Sequence, residues 1–270
     1  MNANLTINDQ LLQWLRQRID LACDLSESVE TMRKTGYSDE VILEAIEAVR
    51  PRGDALAEAL PPPLIRRNPK NLHRVDNPNL ELYTLDNFLG AKECAGLVAL
   101  ISHHLRPSSL AYTTSDTQFR TSQTADLCHL RSPKALELDA RICRTLGIRA
   151  QYSEGIQAQR YDVGQQFKPH WDYFEPDTDV YRRLAGVRSN RTWTFMVYLN
   201  DGLEGGATRF TKIDYAVEPK VGMALLWNNL KADGSPNEYT MHSGEPVIRG
   251  HKIIITKWFR IHGDGPVFHE

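Results

Sequence analysis

The chain has 270 residues, 41% of them apolar and 24% charged, which suits an ordinary globular protein of one large domain or one domain with a small companion, and excludes disorder throughout. Its 32 Lys and Arg against 34 Asp and Glu leave a net charge of −2, so no overall positive field draws it toward nucleic acid.

The N-terminus carries no basic segment followed by an apolar one, and no apolar run nears the roughly 18 residues of a membrane span; the chain reads as cytoplasmic, without a membrane partner. Leu11, Leu12, Leu15 and Ile19 recur at helical spacing. Ser26 is placed to cap a second helix that Gly36 ends, and Ser38 to cap a third carrying Val41, Ile42, Ala45, Ile46 and Val49 before Pro51. Residues 1–60 are therefore expected to form a three-helix unit. Between Asp20 and Leu60 it holds ten acidic residues against four basic ones. Pro61-Pro62-Pro63 then stiffens the chain, and Arg66, Arg67, Lys70 and Arg74 come next without an intervening acid, so 61–79 reads as a linker with a basic stripe.

From Leu80 a strand-like stretch runs through Asp86-Asn87-Phe88-Leu89 into a helix expected over Ala91 to His104, with another over Pro133 to Leu146. Beyond Gly155 the pattern changes to short strands: Ile156 to Tyr161, Phe167 to Tyr173, Thr192 to Leu199, Ala207 to Phe210, Met223 to Trp227, Met241 to Ile248 and His251 to Phe259, punctuated by glycines. Repeated βα units are missing. The economical architecture for 80–264 is an α+β fold, an antiparallel jelly-roll barrel flanked by the earlier helices. Cys23, Cys94, Cys128 and Cys143 form no CxxC pair or regular spacing, against a disulfide framework or structural zinc and for a reducing compartment.

His170-Trp171-Asp172 is an H-x-D on an expected strand, where residues i and i+2 share a face and could share a cation. About one such match arises by chance in a chain of this composition, and His262-Gly263-Asp264 is a second. Their downstream neighbours separate the two. Beyond His170 come His242, on another expected strand, and Lys252 after the Arg249-Gly250 turn, whereas no lysine lies beyond His262. Two imidazoles and one carboxylate leave half an octahedron open, the arrangement of non-haem Fe(II) oxygenases. Lys252 then suits the remote carboxylate of a dicarboxylate cosubstrate, with the Tyr161 and Thr208 hydroxyls on neighbouring strands; the alternative is an ordinary sheet-surface lysine.

The ordered set Tyr161, Gly164, Phe167, His170, Asp172-Tyr173-Phe174, Tyr198-Leu199, Glu204-Gly205-Gly206-x-Thr208, Asp233-Gly234-Ser235, His242-Ser243-Gly244, Gly250-x-Lys252 and Lys257-Trp258 resembles the prolyl 4-hydroxylase family of 2-oxoglutarate- and Fe(II)-dependent dioxygenases. Arg120-Thr121-Ser122 and Asp86-Asn87-Phe88-Leu89 extend the likeness, which spans about residues 80 to 262. The resemblance implies a double-stranded β-helix barrel in which His170, Asp172 and His242 ligate Fe(II), Lys252 pairs with the distal carboxylate of 2-oxoglutarate, and Tyr161 and Thr208 assist it. Trp258, Arg191 and Tyr173 would border the substrate. It further implies hydroxylation of an unactivated C–H, foremost on a prolyl residue of a protein or peptide, using O2 and releasing succinate and CO2, with ascorbate in support.

Other readings remain open at this level. The same chemistry could act on a free amino acid or other small molecule, or the barrel could be a non-catalytic scaffold whose helical unit does the binding. The loop with Arg182, Arg183, Arg188 and Arg191 either greets an acidic substrate or is a solvated face, and the segment from Tyr112 to Arg120 covers extended substrates in relatives. The N-terminal helices, loosely similar to a ubiquitin-associated module, either recognise a protein partner or simply pack on the barrel. Retention of Asp172 argues against halogenation, and no HExxH helix supports a metalloprotease.

Overall fold

The computed structural model describes residues 5–20, 25–49, 71–110, 115–130, 132–176, 178–179, 181 and 189–261. The expected triple-proline linker, Arg182, Arg183, Arg188, Tyr112 and the His262 motif lie outside them.

Three helices come first: α1 (Asp9–Asp20), α2 (Leu25–Thr35) and α3 (Asp39–Val49). The Asn8 side chain accepts the Leu11 N–H at 2.9 Å and starts α1, and Ser38 does the same for α3 through the Val41 N–H at 3.4 Å. Ser26 is not the cap expected of it, because α2 begins at Leu25 and Ser26 falls in its first turn. Gly36, at φ 104°, ends α2 in a conformation that costs a side-chain-bearing residue more. Leu11, Leu15, Val29, Met32, Ile42, Ala45, Ile46 and Val49 bury one another in a core of their own.

The remaining elements in chain order are β1 (Leu72–Arg74), β2 (Leu82–Leu85), α4 (Ala91–Ser102), β3 (Arg106–Pro107), β4 (Gln123–Asp126), α5 (Pro133–Leu146), β5 (Gln157–Tyr161), β6 (Phe167–His170) and β7 (Arg191–Tyr198). After these come β8 (Glu204–Gly205), β9 (Thr208–Phe210), β10 (Tyr215–Val217), β11 (Ala224–Asn228), β12 (His242–Gly244), β13 (Val247–Arg249) and β14 (Lys252–Arg260). An eight-stranded sheet runs β1-β2-β11-β7-β14-β5-β4-β3, a four-stranded sheet β10-β9-β12-β6, and β8 pairs with β13. Every pairing between named strands is antiparallel.

Strand alternation sorts the large sheet into two faces. Phe195 and Val197 of β7, Ile253 and Ile255 of β14 and Ala158 of β5 pack beneath α4 and α5 with Cys94, Leu97, Ile142 and Leu146. The intervening residues, Met196, Tyr198, Ile254 and Tyr161, meet Phe210 and Val217 of the small sheet. With both faces covered, β14 is buried at all nine positions, including Lys252, Lys257 and Arg260.

Three further expectations are corrected. Leu72–Arg74, inside the segment read as linker, pairs with β2. The run Met241 to Ile248 is two strands, β12 in the small sheet and β13 beside β8, divided at Glu245-Pro246, where proline has no N–H for a ladder. The strand expected over Phe167 to Tyr173 ends at His170, so Asp172 stands in a bend.

Candidate active site

Between the two sheets lies a cavity of about 1000 Å³. The cavity-facing residues of β14, Lys252, Ile254, Thr256 and Trp258, line it together with Gln157, Gln159 and Tyr161 of β5.

His170 and His242 reach it from adjacent antiparallel strands, paired directly across the ladder with ring centroids 4.3 Å apart. Each Nδ1 lies 2.8 Å from a backbone carbonyl, of Lys168 and of Thr240. A carbonyl only accepts, so both rings carry a proton on Nδ1, and Nε2 is the nitrogen left to serve as a ligand atom. Phe167 stacks on His170 at 3.5 Å, and Trp227 holds His242 edge-on at 4.8 Å. Burial, with His242 alongside, pushes the His170 imidazole down to about 3, keeping it neutral.

Asp172 joins them without a strand to aim it. Its bend is tied to the start of β7 by three consecutive devices. Asn190 accepts the Phe174 N–H at 2.8 Å and donates to the Phe174 carbonyl at 2.9 Å. Arg191 donates to the Asp172 carbonyl at 3.3 Å. Thr194 Oγ1 donates to Asp172 Oδ2 at 2.7 Å, and is itself held by Asn229 at 2.9 Å, which Trp227 Nε1 holds in turn at 3.0 Å. Oδ1 is left facing His170 Nε2 at 3.9 Å, and His242 Nε2 lies 4.0 Å from Oδ2. Burial alone would raise the Asp172 carboxyl, but His242, His170, Arg191 and the Thr194 hydroxyl together hold it below its usual range. One donor atom from each residue falls within 4.8 Å of the others, a set suited to a divalent cation with open coordination positions.

Lys252 and Tyr161 are cross-strand neighbours at the cavity's inner end. Lys252 Nζ donates to Thr208 Oγ1 at 3.3 Å, and Tyr198 OH donates to the same oxygen at 2.8 Å. At the other end, Glu154 is buried between two guanidiniums: Arg191 grips both its oxygens at 2.7 and 2.6 Å, and Arg260 Nε approaches at 2.7 Å. The Arg191 guanidinium carbon lies over the Trp258 ring, 4.0 Å from its centroid. Tyr173 lines the same end and stacks on Trp171 at 5.4 Å; burial raises its phenol.

All nine residues singled out in the sequence thus border one cavity. Thr194, Asn229 and Glu154 escape sequence reasoning, and Tyr198 enters it only as part of Tyr198-Leu199, with no role. Alternation along β7 would have placed Thr194 and Tyr198 on the face of Met196, but a threonine in a β-rich run reads as a strand former. Arg120, which the sequence marks only as part of Arg-Thr-Ser, stacks over Phe167 at 4.8 Å and donates to the Ser109 carbonyl and to Gln157.

Residues 156–260 match the 2OG-Fe(II) oxygenase superfamily. Probable prolyl 4-hydroxylase 10 of Arabidopsis thaliana is 32% identical over 199 residues, which cover 65% of this chain and 67% of that protein. Prolyl 4-hydroxylase subunit alpha-1 of Homo sapiens is 34% identical over 146 residues, 54% of this chain and 27% of that subunit. The fold is similar to that of the viral collagen prolyl hydroxylase of Paramecium Bursaria Chlorella virus-1 in its 2OG complex (TM-score 0.50, 23% identity, 68% of this chain and 97% of that one). The chain belongs to the prolyl 4-hydroxylase-like 2OG-Fe(II) oxygenases, dioxygenases that depend on iron and 2-oxoglutarate.

Proposed function

We propose that the chain hydroxylates prolyl residues of a protein or peptide, on a double-stranded β-helix barrel preceded by a separate helical unit. One observation carries the reading: His170, Asp172 and His242 bring their donor atoms within 4.8 Å of one another in the same cavity that Lys252 lines. These three residues would hold Fe(II), and Lys252, with Thr208 and Tyr161, the distal carboxylate of 2-oxoglutarate. Iron, 2-oxoglutarate and O2 together supply the oxidant that replaces C–H by C–OH while releasing succinate and CO2. The chain's own contribution is placement. Thr194 and Arg191 fix Asp172, and the Asn229 relay keeps the Thr194 hydroxyl pointed at the carboxylate. Trp258, Arg191 and Tyr173 form the substrate end. The buried Trp258 Nε1 has no hydrogen-bond partner among the described residues, which leaves it to donate to a substrate carbonyl.

The names of the relatives support a prolyl target, and the cavity is larger than a free amino acid fills. Ascorbate belongs to the same reading as the reductant that keeps the metal ferrous. The free, buried thiols Cys94 and Cys143 fit a reducing, cytoplasmic compartment; among the described residues no helix is long and apolar enough to cross a membrane.

The test combines full-length protein with Fe(II), 2-oxoglutarate, ascorbate and a proline-containing peptide library. Succinate release that rises with peptide, together with a gain of about 16 Da on proline (the mass of one oxygen), is the expected result, and His170→Ala should abolish both. Failure to bind 2-oxoglutarate, or oxidation confined to free amino acids, would overturn the reading.

A further inference from the structure

The sheets do not close the cavity by themselves. The end of α1 and one face of α2 supply Arg18, Glu30, Thr31, Arg33 and Lys34 to its lining, and Arg106 stands in the same wall. Glu30, Arg33 and Lys34 recur at i, i+3 and i+4, so a single stripe of α2 is turned to the opening. Setting aside Asp172 and Lys252, the charged lining residues described are six basic ones, Arg18, Arg33, Lys34, Arg106, Arg120 and Arg191, against Glu30 and Glu175. Three of the cations are backed by carboxylates outside the lining: Asp39 holds Arg33 at 2.6 Å, Asp126 holds Arg106 at 2.5 Å and Glu154 holds Arg191 at 2.6 Å, while Lys34 pairs along its helix with Glu30 at 3.7 Å. These pairs orient each guanidinium at the edge of the groove. The helical unit is acidic in sequence, yet the side it offers the cavity is basic.

We propose that α1 and α2 are the specificity wall of the substrate groove, where Arg18, Arg33 and Lys34, together with Arg106, hold acidic side chains flanking the hydroxylated residue. The proposal rests on the peptide reading and narrows it to acidic peptides. Opening-rim cations of this kind act by steering and by screened attraction, so the preference is salt-dependent.

Three fluorescent peptides with one prolyl core, flanked by Glu, Ser or Lys, are titrated by anisotropy into the full-length protein with Mn(II) and 2-oxoglutarate under nitrogen. The Glu-flanked peptide is expected to bind about tenfold tighter than the Ser-flanked one at low salt, an advantage that shrinks in about 0.5 M salt (roughly one-third of the low-salt screening length). Lys34 is 76% exposed on its helix, so Lys34→Glu leaves the fold intact. It should erase most of the preference, and Arg33→Glu/Lys34→Glu should favour the Lys-flanked peptide, a gain that unfolding cannot mimic. Equal binding of Glu and Ser peptides, a preference untouched by the substitutions, or no binding of any peptide overturns the proposal. The same samples, given Fe(II) and air, are then weighed: acidic-peptide binding without oxidation removes prolyl hydroxylation but keeps the wall, whereas oxidation without flank preference does the reverse.

Discussion

Lys252 is enclosed by Tyr161, Tyr198 and Thr208, with no carboxylate at ion-pair distance among the described residues, and burial brings its ammonium down to about 7. The direction of the pH effect depends on which state holds the proton. Above pH 7 the empty site holds a neutral amine, whereas a site containing the dianionic cosubstrate favours the ammonium, so binding takes up a proton. Cosubstrate affinity should therefore be flat below about pH 7 and weaken by up to about tenfold per pH unit above it. Calorimetry in buffers of different ionisation enthalpy should find close to one proton (~1) taken up at about pH 8.5. A Kd unchanged from about pH 6 to 9 would contradict this, and Lys252→Met should flatten whatever slope is seen. The same residue shows how much of a site a sequence reveals. Its place ten residues after His242 marks it, but its isolation depends on strands far apart in the chain. Thr194 and Asn229 carry no mark at all, because a buried hydroxyl or amide gains its meaning only from the carboxylate it faces.

At the scale of elements, helix α5 was legible to the residue because Pro133 opens it, Gly147 closes it and apolar positions recur between them. Strands β7 and β14 were legible within a residue or so for their β-branched and aromatic content, and β5 within a residue although Gln-Ala-Gln-Arg-Tyr carries little of either. β1, β3 and β4 were not: Leu-His-Arg, Arg-Pro and Gln-Thr-Ala-Asp are short and polar, and only pairing with a neighbour makes them strands. The bend at Asp172 was misread as strand because its hydrogen bonds go to side chains of 190–194, which no periodicity reports. Glycine is where element geometry becomes testable. Gly222 has φ +76°, and a Cβ there would lie 2.0 Å from the Leu89 carbonyl oxygen; the Leu89 N–H already bonds the Gly222 carbonyl. Gly147 has φ +68° with nothing near. Gly147→Ala should cost about 1 kcal/mol, the conformational penalty alone, and Gly222→Ala about 2–4 kcal/mol, because a backbone oxygen cannot yield. Urea unfolding of the two variants separates the terms; equal losses would mean that the β2-to-α4 connection moves freely away from β11.

Across the whole molecule, the near-zero net charge conceals an acidic helical unit and a cavity whose charged lining residues are mostly basic, and the packing is divided in the same way. Two buried clusters lie on either face of the large sheet, and a third is built from α1, α2 and α3 alone. Every donor proposed for metal and cosubstrate comes from the sheet portion, so on that reading those ligands act on its stability and not on that of the helices. A ligand at a hundredfold excess over its Kd adds about 2.7 kcal/mol to the state that binds it. For a unit of this size that is roughly 5–10 °C in Tm. Heating should give two transitions, the smaller from the helical unit, whose few buried side chains make it the less stable part. Mn(II) with 2-oxoglutarate should raise only the larger one, and His170→Ala should remove that shift. A Glu-flanked peptide, touching α2 as well as the site, should raise both. A single transition that moves as a whole with metal and cosubstrate would show instead that the helices and the sheets unfold as one cooperative body, and the specificity wall would then be a fixed part of the catalytic fold.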